Sequence, residues 1–234
     1  SGVDDMLNQV NSEASPLNKN IWSKGHIGDA YTIEDSPVRN TIFDEGDISV
    51  KFRNKKTSGD ETLSGAADAT YEYAGGDALP VPVAPDSNHI FVGWTLSDDG
   101  EVTFRNMPNN MYGDVTLYAV WDMPDAARSA SISAKGGVDT VEYDYGTVVL
   151  EGNVTSTVLT DPQVEYSWRK SGETAVLGSG QTHILRNVSD SGTYVLGYTI
   201  RDSVEPLRRH TDETNPFSAS VTPGKLKIRE GSFA

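Results

Sequence analysis

The chain reads as mainly β, with a small sheet-forming module followed by a β-sandwich in tandem. Three observations predict this. Apolar residues recur with a period of two, as in Thr116-Leu117-Tyr118-Ala119-Val120-Trp121, and successive side chains of a strand point to opposite faces. Clusters of Pro, Gly, Asn and Asp interrupt these runs as turn signals. Asp122-Met123-Pro124-Asp125 breaks the pattern near the middle of 234 residues, a length that suits two domains at about 100 to 200 residues each.

Residues 1–47 are expected to be an N-terminal extension or the remnant of an upstream module. Met6, Leu7 and Val10 have a helical spacing, with Asp4 and Asp5 where a helix dipole favours anions. Short strands are expected at 20–22 and 30–33, broken by Gly25, Gly28 and Ser36-Pro37. Trp22 and Phe43 point to some packing, since solvated linkers rarely carry aromatics.

From Ile48 the pattern predicts strands at 48–52, 69–73, 90–96, 102–104 and 115–121. Pro80, Pro82 and Pro85 cannot donate to a ladder, so 78–88 reads as an extended connection. Alternation places Val92, Trp94 and Leu96 on one face, and Leu117, Ala119 and Trp121 on another. The stretch contains Tyr73-Ala74-Gly75-Gly76, Leu79-Pro80, Phe91-Val92-Gly93-Trp94 and the terminal Thr-Leu-Tyr-Ala-Val-Trp. These motifs resemble the Listeria-Bacteroides repeat, the B-repeat of internalins. Arg53-Asn54-Lys55-Lys56 stands where that family has Asn-Gly-Gly. The resemblance covers 48–124 and implies a small β-grasp-like sheet with at most one short helix.

Beyond the break, strand-like runs are expected at 131–134, 141–143, 147–154, 163–170, 183–186, 194–201 and 217–221. Seven short strands over about 100 residues suit a β-sandwich. Val148, Leu150 and Val154 share a face, as do Val164, Tyr166 and Trp168, and Tyr194, Leu196, Tyr198 and Ile200. Asp190-Ser191-Gly192-Thr193-Tyr194 resembles the Asp-x-Gly-x-Tyr of immunoglobulin-like domains, with Trp168 at the place of the core tryptophan. That likeness covers 129–230. It implies a tyrosine corner at Tyr194, and Leu196 where the second cysteine of antibody domains stands. The tail 221–228 resembles a joint between successive surface repeats, or else ends the last strand with a bulge at Pro223.

Composition bounds the partners. With 19 Lys and Arg against 34 Asp and Glu the net charge is −15, which disfavours nucleic acid and anionic lipid. Residues 1–47 carry −6, 48–127 carry −7 and 128–234 carry −2. No cysteine is present, so disulfides and thiolate metal sites are excluded. No run of about 18 apolar residues predicts a membrane span. The chain reads as a fragment, possessing no export signal of its own.

Chemistry-bearing motifs are sparse. His26, His89, His183 and His210 lack zincin spacing and read as solvated or loop histidines. Asp44-Glu45-Gly46-Asp47 and Asp98-Asp99-Gly100-Glu101 offer hard oxygens for calcium, but neither has the twelve-residue loop pattern, and Asp-Asp-Gly is ordinary hairpin chemistry. Glycoside hydrolysis needs two carboxylates about 5 to 10 Å apart in a cleft, which small β modules seldom build. Lys135 and Asn215 are the pair to inspect for an isopeptide crosslink. Trp94, Trp121, Tyr118 and Trp168 read as core rather than sugar platforms. Tyr112 and Tyr145, flanked by glycine or polar residues, are the candidate partner contacts.

No catalytic, metal or cofactor-binding residue is assigned, and no enzyme activity is expected. The two resemblances imply a monomeric segment of a bacterial cell-surface or secreted multidomain protein, acting in adhesion, ligand contact or as a spacer. Its partner would be a protein or glycan. Its place would be extracellular or wall-anchored, with signal and anchor outside these residues. The alternative is an accessory carbohydrate-binding segment of a secreted enzyme.

Overall fold

The computed structural model describes residues 22–24, 31–33, 48–71, 75–109, 111 and 113–225. The fold is mainly β, arranged in several sheets. The helical reading of 3–14, the acidic run 44–47, His26 and Tyr112 fall outside the described residues. Two short antiparallel strands, β1 (Trp22–Lys24) and β2 (Tyr31–Ile33), pair with each other.

The next unit is a single sheet of β3 (Ile48–Asn54), β4 (Glu61–Thr62), β5 (Ala69–Tyr71), β6 (Ile90–Thr95) and β7 (Val115–Asp122). The order is β4-β3-β7-β6, with β5 beside β3, and β3 and β7 run parallel. Ile48, Val50 and Phe52 alternate into the core against Leu117, Ala119 and Trp121. Trp94 is enclosed there, its ring centroid 4.7 Å from that of Phe52, and its indole N–H donates to Pro80 O at 2.9 Å.

Strand β6 departs from simple alternation. A register shift between Phe91 and Gly93 marks a bulge, so Phe91 and Trp94 both face the core while Val92 is 37% exposed. Leu96, just past the strand, is 52% exposed. The expected shared face of Val92, Trp94 and Leu96 is therefore corrected: the extra residue of the bulge turns Val92 away from the face of Trp94, and Leu96 lies beyond the end of the strand at Thr95. Gly93 suits the close approach here: a Cβ would stand a tight 3.1 Å from Phe104 O, where the returning chain crosses. That return is a single bridge, Trp94 to Phe104, rather than a strand at 102–104. Arg105 then lies along the bulge, donating to Val92 O at 2.9 Å and Phe91 O at 2.6 Å with its guanidinium over the Phe91 ring.

The C-terminal unit has two sheets. One contains β8 (Arg128–Ala134), β10 (Val148–Ser156) and β12 (Thr182–Leu185) in the order β12-β10-β8. The other contains β9 (Thr140–Glu142), β11 (Gln163–Lys170), β13 (Gly192–Arg201) and β15 (Phe217–Thr222) in the order β11-β13-β15-β9, with β14 (Arg209–Glu213) also on β13. β9 and β15 are parallel. Val148, Leu150, Leu185 and Ile132 of the first sheet pack against Trp168, Tyr194, Leu196, Ala219 and Val221 of the second. The Trp168 indole donates to Gly180 O at 2.7 Å, and the Tyr194 hydroxyl donates to Asp190 O. Between the two sheets a Cβ on Gly152 would overlap Leu196 Cδ2, so leucine fills the space that glycine leaves. Lys135 is largely exposed beside Glu151 at 3.6 Å and Asn215 is exposed, so this pair is not placed for an isopeptide crosslink, which needs both groups together and shielded.

Candidate functional site at the junction of the two units

A dense polar site lies where the two units meet. It begins with the segment 202–208 between β13 and β14. Asp202 starts this turn by accepting the backbone N–H groups of Val204 at 2.7 Å and Glu205 at 3.1 Å through one oxygen, and that of Thr160 at 2.8 Å through the other. Glu205 O accepts the Arg208 N–H at 2.8 Å and Asp202 N–H donates to Arg208 O at 3.0 Å, closing the loop on itself. A braced loop of this kind presents its backbone in a fixed direction.

That direction is towards β7. Beyond Tyr118 the strand has outrun its neighbour β3, and the loop takes the place β3 has vacated. The Trp121 N–H donates to Leu207 O at 3.0 Å, Trp121 and Arg208 form a parallel bridge, and the Thr57 N–H donates to Val204 O at 2.9 Å. The C-terminal unit thus completes the sheet of the unit before it. Leu207, 1% exposed, lies beside Val120 and the turn glycine Gly100, whose positive φ suits an Asp-Asp-Gly turn. This is why Val120 is buried although it faces away from Leu117 and Trp121.

A polar network surrounds this seam. The Asn54 side chain accepts the Trp121 indole N–H at 3.0 Å and donates to Glu205 Oε1 at 3.1 Å. Lys56 reaches Glu205 at 3.2 Å and Glu61 at 2.8 Å. His89, 8% exposed, has Nδ1 at 2.7 Å from Asp86 and Nε2 at 2.9 Å from the second oxygen of Glu205, with its ring edge-on to Trp121. Arg208 donates to Asn88 O at 3.1 Å. On the other side of β7, His210 Nδ1 lies 3.0 Å from both oxygens of Asp122, and Arg209 reaches Asp99 O and, at 3.6 Å, Glu101.

The electrostatics follow from this geometry. Burial alone would lower the pKa of His89, but hydrogen bonds to Glu205 and Asp86 outweigh it and raise it above the ordinary histidine value. The His89 hydrogen bond holds Glu205 at about 2 despite its burial, with Lys56 assisting. Burial would raise Asp122, but His210 and the Met123 N–H hold it below the usual carboxylate range. An imidazole that donates from both nitrogens is a cation without a lone pair, so His89 is built as an ionic bridge and not as a base or metal ligand. Glu205 is likewise an anion at neutral pH.

The residues singled out from sequence lie elsewhere. Tyr145 is 64% exposed in the turn Tyr143–Tyr145, away from the junction. Trp94, Trp121 and Trp168 are enclosed, as the core reading of these rings expects, whereas Tyr118, read with them, is half-buried, its hydroxyl donating to Asp60 and Lys55 lying over its ring. His89 and His210 are buried, which corrects their reading as solvated, although His89 does lie in the loop before β6: Glu205 and Asp122, from distant segments, retain them inside. The acids at 98–101 are engaged separately, Asp98 with Lys55, Asp99 with the Ser97 hydroxyl and the Glu101 N–H, and Glu101 with Arg209. A shallow groove of about 700 Å³ crosses the outer face of β11, β13 and β14, floored by Ser167, Gly197 and Thr211. Its flanking acids Glu165 and Glu213 are paired with Arg201 and Arg169. Among the described residues no group of His, Asp and Glu is arranged to hold a metal ion, and no helix is long and apolar enough to cross a membrane.

Sequence reasoning missed the junction altogether. One signal for it exists: Leu207 is a lone apolar residue in the charged run Glu205-Pro206-Leu207-Arg208-Arg209, which suggests a loop tip that covers something. No family model, curated protein or solved structure matches the chain.

Proposed function

We propose that the chain is a non-catalytic, stiff segment of a bacterial cell-surface or secreted multidomain protein, serving as a spacer that carries or makes adhesive contacts. In this reading 48–124 is an internalin B-repeat-like module, 129–230 an immunoglobulin-like sandwich, and 1–47 an N-terminal extension or the remnant of an upstream module. One observation supports it above the others: the 202–208 loop is hydrogen-bonded into the edge of the preceding sheet, through Thr57 with Val204 and Trp121 with Leu207, and this joins two small units without a flexible linker. A stalk needs such joints, because a rigid series of modules projects a contact surface away from its attachment whereas a flexible one collapses.

The order of sheets in the C-terminal unit and the Tyr194 to Asp190 hydrogen bond favour the immunoglobulin-like reading over other sandwiches. Among the described residues Trp94, Trp121 and Trp168 are enclosed and do not offer the large aromatic faces that a sugar platform would use, while Tyr143 and Tyr145 are exposed rings. The test is location and contact together. Antibodies raised against the chain are expected to label intact cells of the producing organism, and the isolated chain to bind a protein or glycan on an array. Labelling only after lysis refutes the surface reading.

A further inference from the structure

We infer that the junction is a proton-dependent clasp: with His89 protonated the two units are locked together, and loss of that proton loosens the loop 202–208 from the sheet it completes. The argument rests first on placement. His89 belongs to the N-terminal sheet unit and Glu205 to the C-terminal one, and the 2.9 Å contact between them lies directly beside the two backbone hydrogen bonds that join the units. The other ring nitrogen is held by Asp86 at 2.7 Å, so both imidazole nitrogens face carboxylate oxygens. Only the imidazolium can donate twice. When its proton leaves, one nitrogen presents a lone pair to a carboxylate, and an attractive contact becomes repulsive in a site shielded from water.

The surroundings fix the sign. Facing His89 are Asp86 from the connection before β6, Glu205 and Arg208 from the 202–208 loop, and Trp121 edge-on from β7. Lys56, after β3, acts through its shared partner Glu205, and is itself paired with Glu61. Arg208 opposes the imidazolium, but two carboxylates in direct hydrogen bonds outweigh it. The clasp is therefore strongest below the unfolded histidine pKa of about 6.5 and weakens as pH rises through the higher value of the folded form. His210 is the other histidine at this seam, facing Asp122, Asp212 and Arg128 around the far side of β7, and its contribution must be separated.

The experiment reads the seam itself in the intact chain. Amide exchange at Thr57 N–H reports opening of the bond to Val204 O, with Trp168 N–H inside the C-terminal unit as the internal reference. His89 is titrated by ¹⁵N NMR in the same samples. The expected result is a fall of roughly tenfold in Thr57 protection relative to Trp168 between pH 6 and pH 9, with its midpoint at the His89 titration. Asp86 makes its hydrogen bonds within the N-terminal unit, to His89 and the Asn88 N–H, and meets the other unit only through the charge of Arg208, so Asp86→Asn leaves the hydrogen bonds of the seam in place and is expected to move both midpoints down together. His210→Gln is expected to leave the response in place. Thr57 protection indifferent to the His89 titration, a midpoint unmoved in Asp86→Asn, or a response abolished by His210→Gln would each overturn the proposal.

Discussion

Removing the Leu207 side chain tests how far the two units depend on each other. Leu207→Ala deletes three carbons from a fully enclosed position, worth about 2.4 kcal/mol at about 0.8 kcal/mol per carbon, and a rigid cavity would raise the loss towards about 5 kcal/mol. The loop can settle onto Val120 and Gly100, so a loss of about 2 to 3 kcal/mol is expected. The three enclosed indoles are separate reporters, because each N–H has its own acceptor: Pro80 O for Trp94, Asn54 Oδ1 for Trp121 and Gly180 O for Trp168. Followed by NMR through a urea titration, the signals of these three of the four indoles should disappear together in the unmodified chain. In Leu207→Ala those of Trp94 and Trp121 should disappear about 1 to 2 M earlier than that of Trp168, given a urea slope of about 1 to 3 kcal/mol per M. If all three still vanish together, or Trp121 does not shift, the loop is decoration and not a structural part of the sheet.

Other outcomes follow from single sites. Gly152→Ala should cost about 1 to 3 kcal/mol in thermal unfolding through overlap with Leu196, and combining it with Leu196→Ala should cost less than the sum of the two. Tyr194→Phe removes one hydrogen bond to Asp190 O and should cost about 0.5 to 1.5 kcal/mol by chemical denaturation, with the fold unchanged by circular dichroism. Glu205 is held at about 2 against 4.5 unfolded, so its contribution, on the order of 3 kcal/mol, is present above pH 4.5 and lost as pH falls towards 2. Calorimetry over that interval should show this acid limb in the unmodified chain and a flatter one in Glu205→Gln.

What was legible in the sequence was what alternation encodes. β11 falls at 163–170 as expected, and β7, β10 and β13 lie within two residues of their expected ends, because each alternates apolar and polar residues over a long run. β14 was missed because Arg-His-Thr-Asp-Glu has no apolar side chain; its inward position is taken by His210, paired with Asp122. The bulge at Val92 was invisible because the residues of the strand carry no signal for it; it coincides with the chain crossing over Gly93, which only the tertiary fold brings there. The junction was invisible for a related reason. Asn54, His89, Asp122 and Glu205 are separated by tens of residues and are ordinary surface types singly, and only tertiary pairing makes them interior.

The guanidinium of Arg105 has a consequence at high local concentration. By engaging the carbonyls of Phe91 and Val92 it occupies acceptors that a neighbouring molecule would need in order to zip onto β6. The most hydrophobic rim of this sheet is thus blunted against lateral polymerisation, and many copies can be crowded side by side without seeding fibrils there.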